Sequence, residues 1–375
     1  MKNALALVLL IVLPGSLVAQ DLELRPGDHI CLLGNTLAER MQDYGWLETR
    51  IVSRFPEHDL VFRNLGYSAD ELTVRLRSKD FGTPDQWLAG EAPIPQPEKL
   101  NPGAPVRQNR FELTNTKADV ILAFFGYNEA QAGEAGLPKF RQDLAAWLQH
   151  TRGQKYNGKS APRIVLFSPI AHENLHNPNL PSGDDNNARL AMYTRAMEEV
   201  ARTEEVLFVD LFTPTLKLFA EASSPHTING IHLNAHGDAL VAAIIEDALF
   251  PSGPKLKRDA AHLERLRQAI NDKNFYWYHR YRTTDGYSTY GDRAFLKFTD
   301  GQSNYEVVQR ELEMLDVQTA HRDRAIWQVA RGEAYRPADD NLPPHIPVVS
   351  NKPGPLPGGK HVFLGGEAAI GQMTV

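Results

Sequence analysis

Short apolar runs alternate with longer amphipathic stretches through roughly the first two-thirds of the chain. Residues 29–33, 60–64, 119–125, 163–168 and 206–210 are runs rich in Val, Ile, Leu or Phe, with the length and composition of buried strands. Between them, 36–54, 140–151, 187–202 and 235–250 carry apolar residues at helical spacing, the first with Leu37, Met41, Leu47 and Ile51. Strands that are apolar on both faces and alternate with helices predict a parallel sheet covered on both sides. The expected fold class is α/β: a three-layer α/β/α sandwich with a parallel flavodoxin-like sheet, whose ligands sit beyond the carboxyl ends of the strands.

Composition narrows the function classes. A chain of 375 residues with 42% hydrophobic and 23% charged residues can bury a full core. Its net charge of -6, with no long basic run, speaks against a nucleic-acid partner. Cys31 is the sole cysteine and lies in an apolar run, so it reads as a small buried strand residue and no intramolecular disulfide is possible. With no Cys-x-x-Cys-His, covalent c-type haem is excluded, and no cofactor is expected. Residues 1–20 read as an export signal: Lys2, an apolar core over 4–14, and Val18-Ala19-Gln20 before cleavage. The core is short for a membrane span, so a periplasmic or secreted protein with no stable span after signal removal is expected, with an uncleaved anchor as the alternative because Leu17 is not a small residue before the cleavage point.

The sandwich brings four short motifs to one edge. Leu33-Gly34-Asn35-Thr36-Leu37 follows the first strand, Asn64-Leu65-Gly66 the second, and Gly126-Tyr127-Asn128-Glu129 the third; Asn229-Gly230-Ile231-His232-Leu233-Asn234 precedes the last helix of the sandwich. In this order the motifs resemble the blocks of the SGNH/GDSL hydrolases over residues 27–250. The resemblance makes His232 the general base, and makes the Gly66 N–H, the Asn128 amide and the Asn35 N–H the donors of an oxyanion hole. In that family the first block supplies a nucleophilic serine and the last an aspartate; here those positions are Asn35 and Asn229. An amide is not an acyl-transfer nucleophile, and Asn229 carries no charge to stabilise an imidazolium.

Two classes of function follow. One is a hydrolase acting on an ester or related bond of a carbohydrate, in which His232 or a nearby acid activates water while Asn35, Gly66 and Asn128 polarise the target. The other is a catalytically inactive module binding a glycan or partner. The acids nearest in sequence are Asp28, Asp70 and Glu129. Thr36 and Ser68 read as helix caps. A zinc site at His172-Glu173-Asn174-Leu175-His176 requires a helix, and Pro169 and Pro178 on either side predict a loop.

Beyond residue 250, a charged helical stretch at 257–271, with Leu263, Leu266 and Ile270 on one face, leads into an aromatic and basic string at 273–282. The string resembles the extension of a bacterial SGNH-like subgroup whose relatives often join the module to haem-binding cytochrome-type domains. That subgroup also carries the Gly-Asn-Thr-Leu and Asn-Gly-Ile-His-Leu-Asn forms. Phe275, Trp277 and Tyr281 are expected to pack the extension onto the sandwich; Lys273, Asn274, Arg280 and Arg282, with Glu129, are candidate ligand-binding residues. Residues 304–332 read as a long polar helix, and the prolines from Pro337 onward as an extended tail. The organisation expected is a signal at 1–20, a hydrolase-like domain at 21–250, an extension at 251–335 and a Pro-rich tail at 336–375. The expected partner is a small molecule or glycan, and the oligomeric state is left open.

Overall fold

The computed structural model describes residues 21–348, apart from 76, 78–80, 92–115, 255, 283–285, 298–300 and 340. The signal segment, most of the Pro-rich loop at 90–105 and the tail past 348 lie outside the described residues. Five strands, β1 His29–Gly34, β2 Val61–Asn64, β3 Val120–Phe124, β4 Arg163–Phe167 and β5 Leu207–Val209, form one parallel sheet in the order β2-β1-β3-β4-β5. This is the doubly wound order expected, and the strands are apolar on both faces because helices cover both.

Helices α1 Thr36–Tyr44, α2 Trp46–Arg54, α3 Pro84–Leu88, α4 Gly133–Arg152, α5 Asp184–Thr203, α6 Phe212–Ala220 and α7 Ala235–Leu249 belong to the sandwich. α4 packs on α5 over one face; α2 packs on α7 over the other, with α1 beside β1. The single helix expected at 36–54 is two helices. Gly45, at φ 71, ends α1 by donating its N–H to Met41 O, and the chain turns into α2. Asn35, not Thr36, caps α1, since its side chain accepts the Leu37 N–H. No helix starts after Ser68, whose hydroxyl instead donates to the Glu39 carboxylate.

The extension continues as α8 Ala260–Tyr281, α9 Gly286–Thr289 and α10 Asn304–Ala330, and α8 and α10 pack along each other. α8 runs through the aromatic string instead of stopping near 271. Together α8 and α10 close the open edge of β2. The outward-facing carbonyls of Leu60, Phe62 and Asn64 accept hydrogen bonds from Trp327 Nε1 (2.9 Å), Lys273 Nζ (3.3 Å) and Trp277 Nε1 (2.7 Å). Trp277, Ile270, Leu312 and Ile326 join the same buried core as the sheet. Among the described residues, no helix is long and apolar enough to cross a membrane.

Candidate functional site

A crevice of about 170 Å³ opens where the chain leaves the carboxyl ends of β1 and β3. Asn35, Asn128 and His232 line it together, with Leu37, Tyr44, Phe124, Tyr127 and Ile231 supplying apolar and aromatic wall. The sharp turn into it depends on Gly34. At φ +132, a Cβ at this position would lie 2.0 Å from Phe124 O, so no side chain fits between β1 and β3.

The loop carrying His232 is held from β4. Glu173 accepts the N–H groups of His226 (2.9 Å) and Thr227 (2.7 Å) and the Thr227 hydroxyl (2.5 Å). Thr227 Oγ1 in turn accepts the Gly230 N–H (2.9 Å). Within the loop, Asn229 Oδ1 accepts the N–H groups of Ile231 (3.3 Å) and His232 (3.0 Å). Backbone N–H groups can meet only an oxygen, which fixes the amide with Nδ2 against His232 Nδ1 at 3.0 Å. An amide nitrogen donates, so Nδ1 accepts and the ring proton resides on Nε2. Burial, and then the positive charge of Arg40, hold the His232 pKa below its ordinary value. Protonating Nδ1 would oppose two donors, so the same contact favours the neutral ring.

This tautomer is the reverse of that in a catalytic triad, where an acid accepts from Nδ1–H and leaves Nε2 bare as the base. His232 therefore presents an N–H to the crevice. The expected oxyanion hole also changes. The Asn35 N–H donates to Phe124 O (3.1 Å) and the Gly66 N–H to Asn64 Oδ1 (2.8 Å), so both are already engaged, and Gly66 is not among the residues lining the crevice. Asn128 Nδ2 has a long contact to Asp70 O at 3.4 Å. Asn35 spends Oδ1 on the helix cap, which leaves Nδ2 without a partner among the described residues. The crevice also contains Ser168, but its hydroxyl accepts from the Leu211 (2.8 Å) and Phe212 (3.0 Å) N–H groups and donates to the Pro169 carbonyl (3.1 Å).

The remaining candidates lie elsewhere. Glu129 takes the N–H groups of Leu72 (3.0 Å) and Gly126 (2.9 Å) on its two carboxylate oxygens and braces the Asn128 turn, with burial raising its pKa. Lys273 and Arg280, each 1% exposed, pair with Glu48 (2.7 Å) and Asp316 (2.7 Å); Asn274 donates to Gln42 O (3.0 Å). Arg282 pairs with Glu39 and stacks 3.6 Å over Tyr67. Lys273, Asn274 and Arg282 tie the extension to the sandwich, Arg280 joins α8 to α10 within the extension, and none of these groups lines the crevice. Asp28 sits at the opposite end of the sheet, paired with Arg163 (2.5 Å), and Asp70 is closed off by Arg75 (2.9 Å) and Arg77 (2.8 Å). His172 and His176 occupy a loop, the first buried and the second exposed. Around Cys31, burial pushes the thiol up to about 12, leaving it inert.

Sequence reasoning missed Arg40, Tyr44 and Asp238, all of which line the crevice. Leu37, Arg40 and Tyr44 share one face of α1 at helical spacing, so an arginine on an otherwise apolar stripe was the available signal.

A family model described as the GDSL-like Lipase/Acylhydrolase family matches residues 35–240, more than half of the chain. No curated protein matches. Similar solved structures include a gut microbial diltiazem-metabolizing enzyme (16% identity, TM-score 0.43, covering 62% of this chain and 49% of that one). Another is an acetylxylan esterase from Geobacillus stearothermophilus (13% identity, TM-score 0.41, covering 64% and 100%). A third is the lipase/acylhydrolase from Enterococcus faecalis (17% identity, TM-score 0.38, covering 62% and 100%).

Proposed function

The chain belongs to the GDSL-like Lipase/Acylhydrolase family, and we propose that it is an exported member that binds a glycan-type ligand without serine acyl transfer. The observation that carries this reading is the Asn229 amide, whose orientation leaves the His232 proton on Nε2. Three further features support it. Position 35 offers an amide in place of a hydroxyl, two of the three expected hole donors are engaged, one by the Phe124 carbonyl and one by the Asn64 side chain, and Ser168 is spent on its neighbours. Tyr44 and Tyr127 give the crevice aromatic wall of the kind on which sugar rings rest. The water-mediated hydrolase reading asks His232 to act as a base, and the reversed tautomer weighs against it.

The test compares acetate release with ligand binding for acetylated xylo-oligosaccharides. Wild type is expected to bind without releasing acetate above the spontaneous rate. His232→Ala is expected to weaken binding roughly tenfold, the value of one buried hydrogen bond. Acetate release by wild type that disappears in His232→Ala would overturn the proposal.

A further inference from the structure

Among the described residues, the buried arginines find carboxylates at hydrogen-bond distance, Arg63 with Asp323, Arg280 with Asp316 and Arg322 with Asp272, and the half-buried Arg77 pairs with Asp70. Arg40 does not. It lines the crevice with its side chain one-third exposed, and among the described residues its guanidinium makes no hydrogen bond. Among the described residues, the carboxylate within ion-pair range of Arg40 is Asp43, one turn along α1 and 3.7 Å away. Arg40 is close enough to His232 for its charge to disfavour the imidazolium.

We propose that the crevice is a carboxylate-binding site in which the Arg40 guanidinium anchors the ligand's carboxylate, with His232 Nε2–H and Asn35 Nδ2 as neutral donors beside it. The inference rests on the noncovalent-ligand reading above and narrows it to an acidic ligand, of which a uronic acid is the simplest sugar form. The planar fork of a guanidinium matches a carboxylate with two parallel N–H bonds, which a lysine or a neutral amide cannot reproduce. Leu37 and Ile231 keep the surroundings apolar, so the charge is poorly screened by water.

Asp238 sets the condition under which that charge is available. It lies in the first turn of α7, lines the same crevice and is 5% exposed, with Oδ2 sealed from solvent and without a partner among the described residues. The groups facing it are Asp43 and Arg40 from α1, the Trp46 N–H from α2 and Arg267 from α8. Burial first, and then Asp43, push its carboxyl up to about 8, against the opposing pull of the Trp46 N–H, Arg40 and Arg267. At neutral pH the protonated Asp238 adds no second negative charge to that of Asp43 beside Arg40. Above about 8 it ionises, and an incoming carboxylate then meets the repulsion of a second carboxylate next to Arg40.

Calorimetric titration of the full-length protein with D-glucuronate and with D-glucose, from pH 6 to 9.5, tests the proposal. Expected is at least tenfold tighter binding of glucuronate than of glucose at pH 6.5. Arg40→Gln should abolish that preference, and Arg40→Lys should restore only part of it. Glucuronate affinity should fall several-fold between pH 7 and 9.5 in wild type and stay level in Asp238→Asn, whose amide is isosteric and cannot ionise. Equal binding of the two sugars by wild type, or a preference unchanged in Arg40→Gln, overturns the inference. So does inorganic sulfate competing as well as glucuronate, which would assign a tetrahedral anion instead. An acetate-release arm separates this from the broader reading. His232-dependent turnover sinks that reading, whereas silent binding of a neutral acetylated sugar with no glucuronate preference sinks only the carboxylate site.

Discussion

Asn229 has two ends, and which of them meets the imidazole decides what His232 can do. Two backbone N–H groups claim Oδ1, so the substitution does more than remove a charge: it reverses the donor and acceptor roles along the ring. Asn229→Asp should turn the ring back, placing a proton on Nδ1 and raising the His232 pKa from its lowered position, because a carboxylate stabilises the imidazolium. Ring nitrogen chemical shifts followed by NMR against pH report both changes; a wild-type spectrum with Nδ1 protonated would refute the assignment. Adding Asn35→Ser to this variant supplies a nucleophile and a base, but the N–H groups of residues 35 and 66 remain engaged. Loss of a single hole donor costs about 10²–10³ in rate in a serine protease. The double variant should therefore hydrolyse p-nitrophenyl acetate slowly, and fast turnover would mean that those donors swing free. Asp238 makes its own prediction. Its folded carboxyl is raised to about 8 from an ordinary 3.8, so the stability contributed by the protonated form is complete below about pH 4 and is lost as the pH rises toward 8. Asp238→Asn should match wild type in melting temperature near pH 4 and exceed it near pH 8, by the equivalent of a few kcal/mol.

At the scale of elements, β2 shows which parts of the fold were legible in the sequence. Apolar runs located the five strands, and the strand-then-helix rhythm gave their parallel order, because burial on both faces leaves a continuous signal. The same rule carried Asn35, Asn128 and His232 to one crevice. It gave no information on what covers the sheet edge. Lys273 and Arg280 look like solvent-facing cations in the string at 273–282, since their partners, Glu48 and Asp316, lie far away in the chain. Periodicity registers apolar faces and does not register ion pairs formed between helices. Gly45 was invisible for a related reason: the apolar spacing of 36–54 continues nearly in phase across the break. The Arg63–Asp323 pair, bonded at 3.0 and 2.5 Å with both side chains buried, tests this account of the edge. Asp323→Ala strands the arginine and should cost about 3–5 kcal/mol in urea denaturation. Replacing both residues by Met and Leu should cost much less, because no charge is left unpaired. A cost that is small for Asp323→Ala would show that Arg63 finds water or another acceptor.

For the molecule as a whole, the question is whether the extension is a separate domain, as the boundary at 250 implies, or a part of the sandwich. Its contacts favour the second answer. Trp327, Lys273 and Trp277 occupy the outward carbonyls of β2, and without them the sheet presents an open edge. The extension also grips α1, the helix that carries Arg40: Arg267 donates to Tyr44 O (3.2 Å), Asn274 to Gln42 O (3.0 Å), and Arg282 pairs with Glu39. The far side of that helix is thus fastened to α8 while its near side forms the crevice wall. A chain ending at residue 254 would expose the β2 edge together with the apolar surface that Trp277, Leu312 and Ile326 now bury. It should be recovered as aggregates or as edge-paired oligomers, and any soluble fraction should lose the glucuronate preference along with the fixed position of α1. Size-exclusion chromatography and the same calorimetric titration measure both outcomes. A monomeric 21–254 chain with unchanged ligand preference would establish the extension as an independent unit and place all the determinants of the crevice within the sandwich.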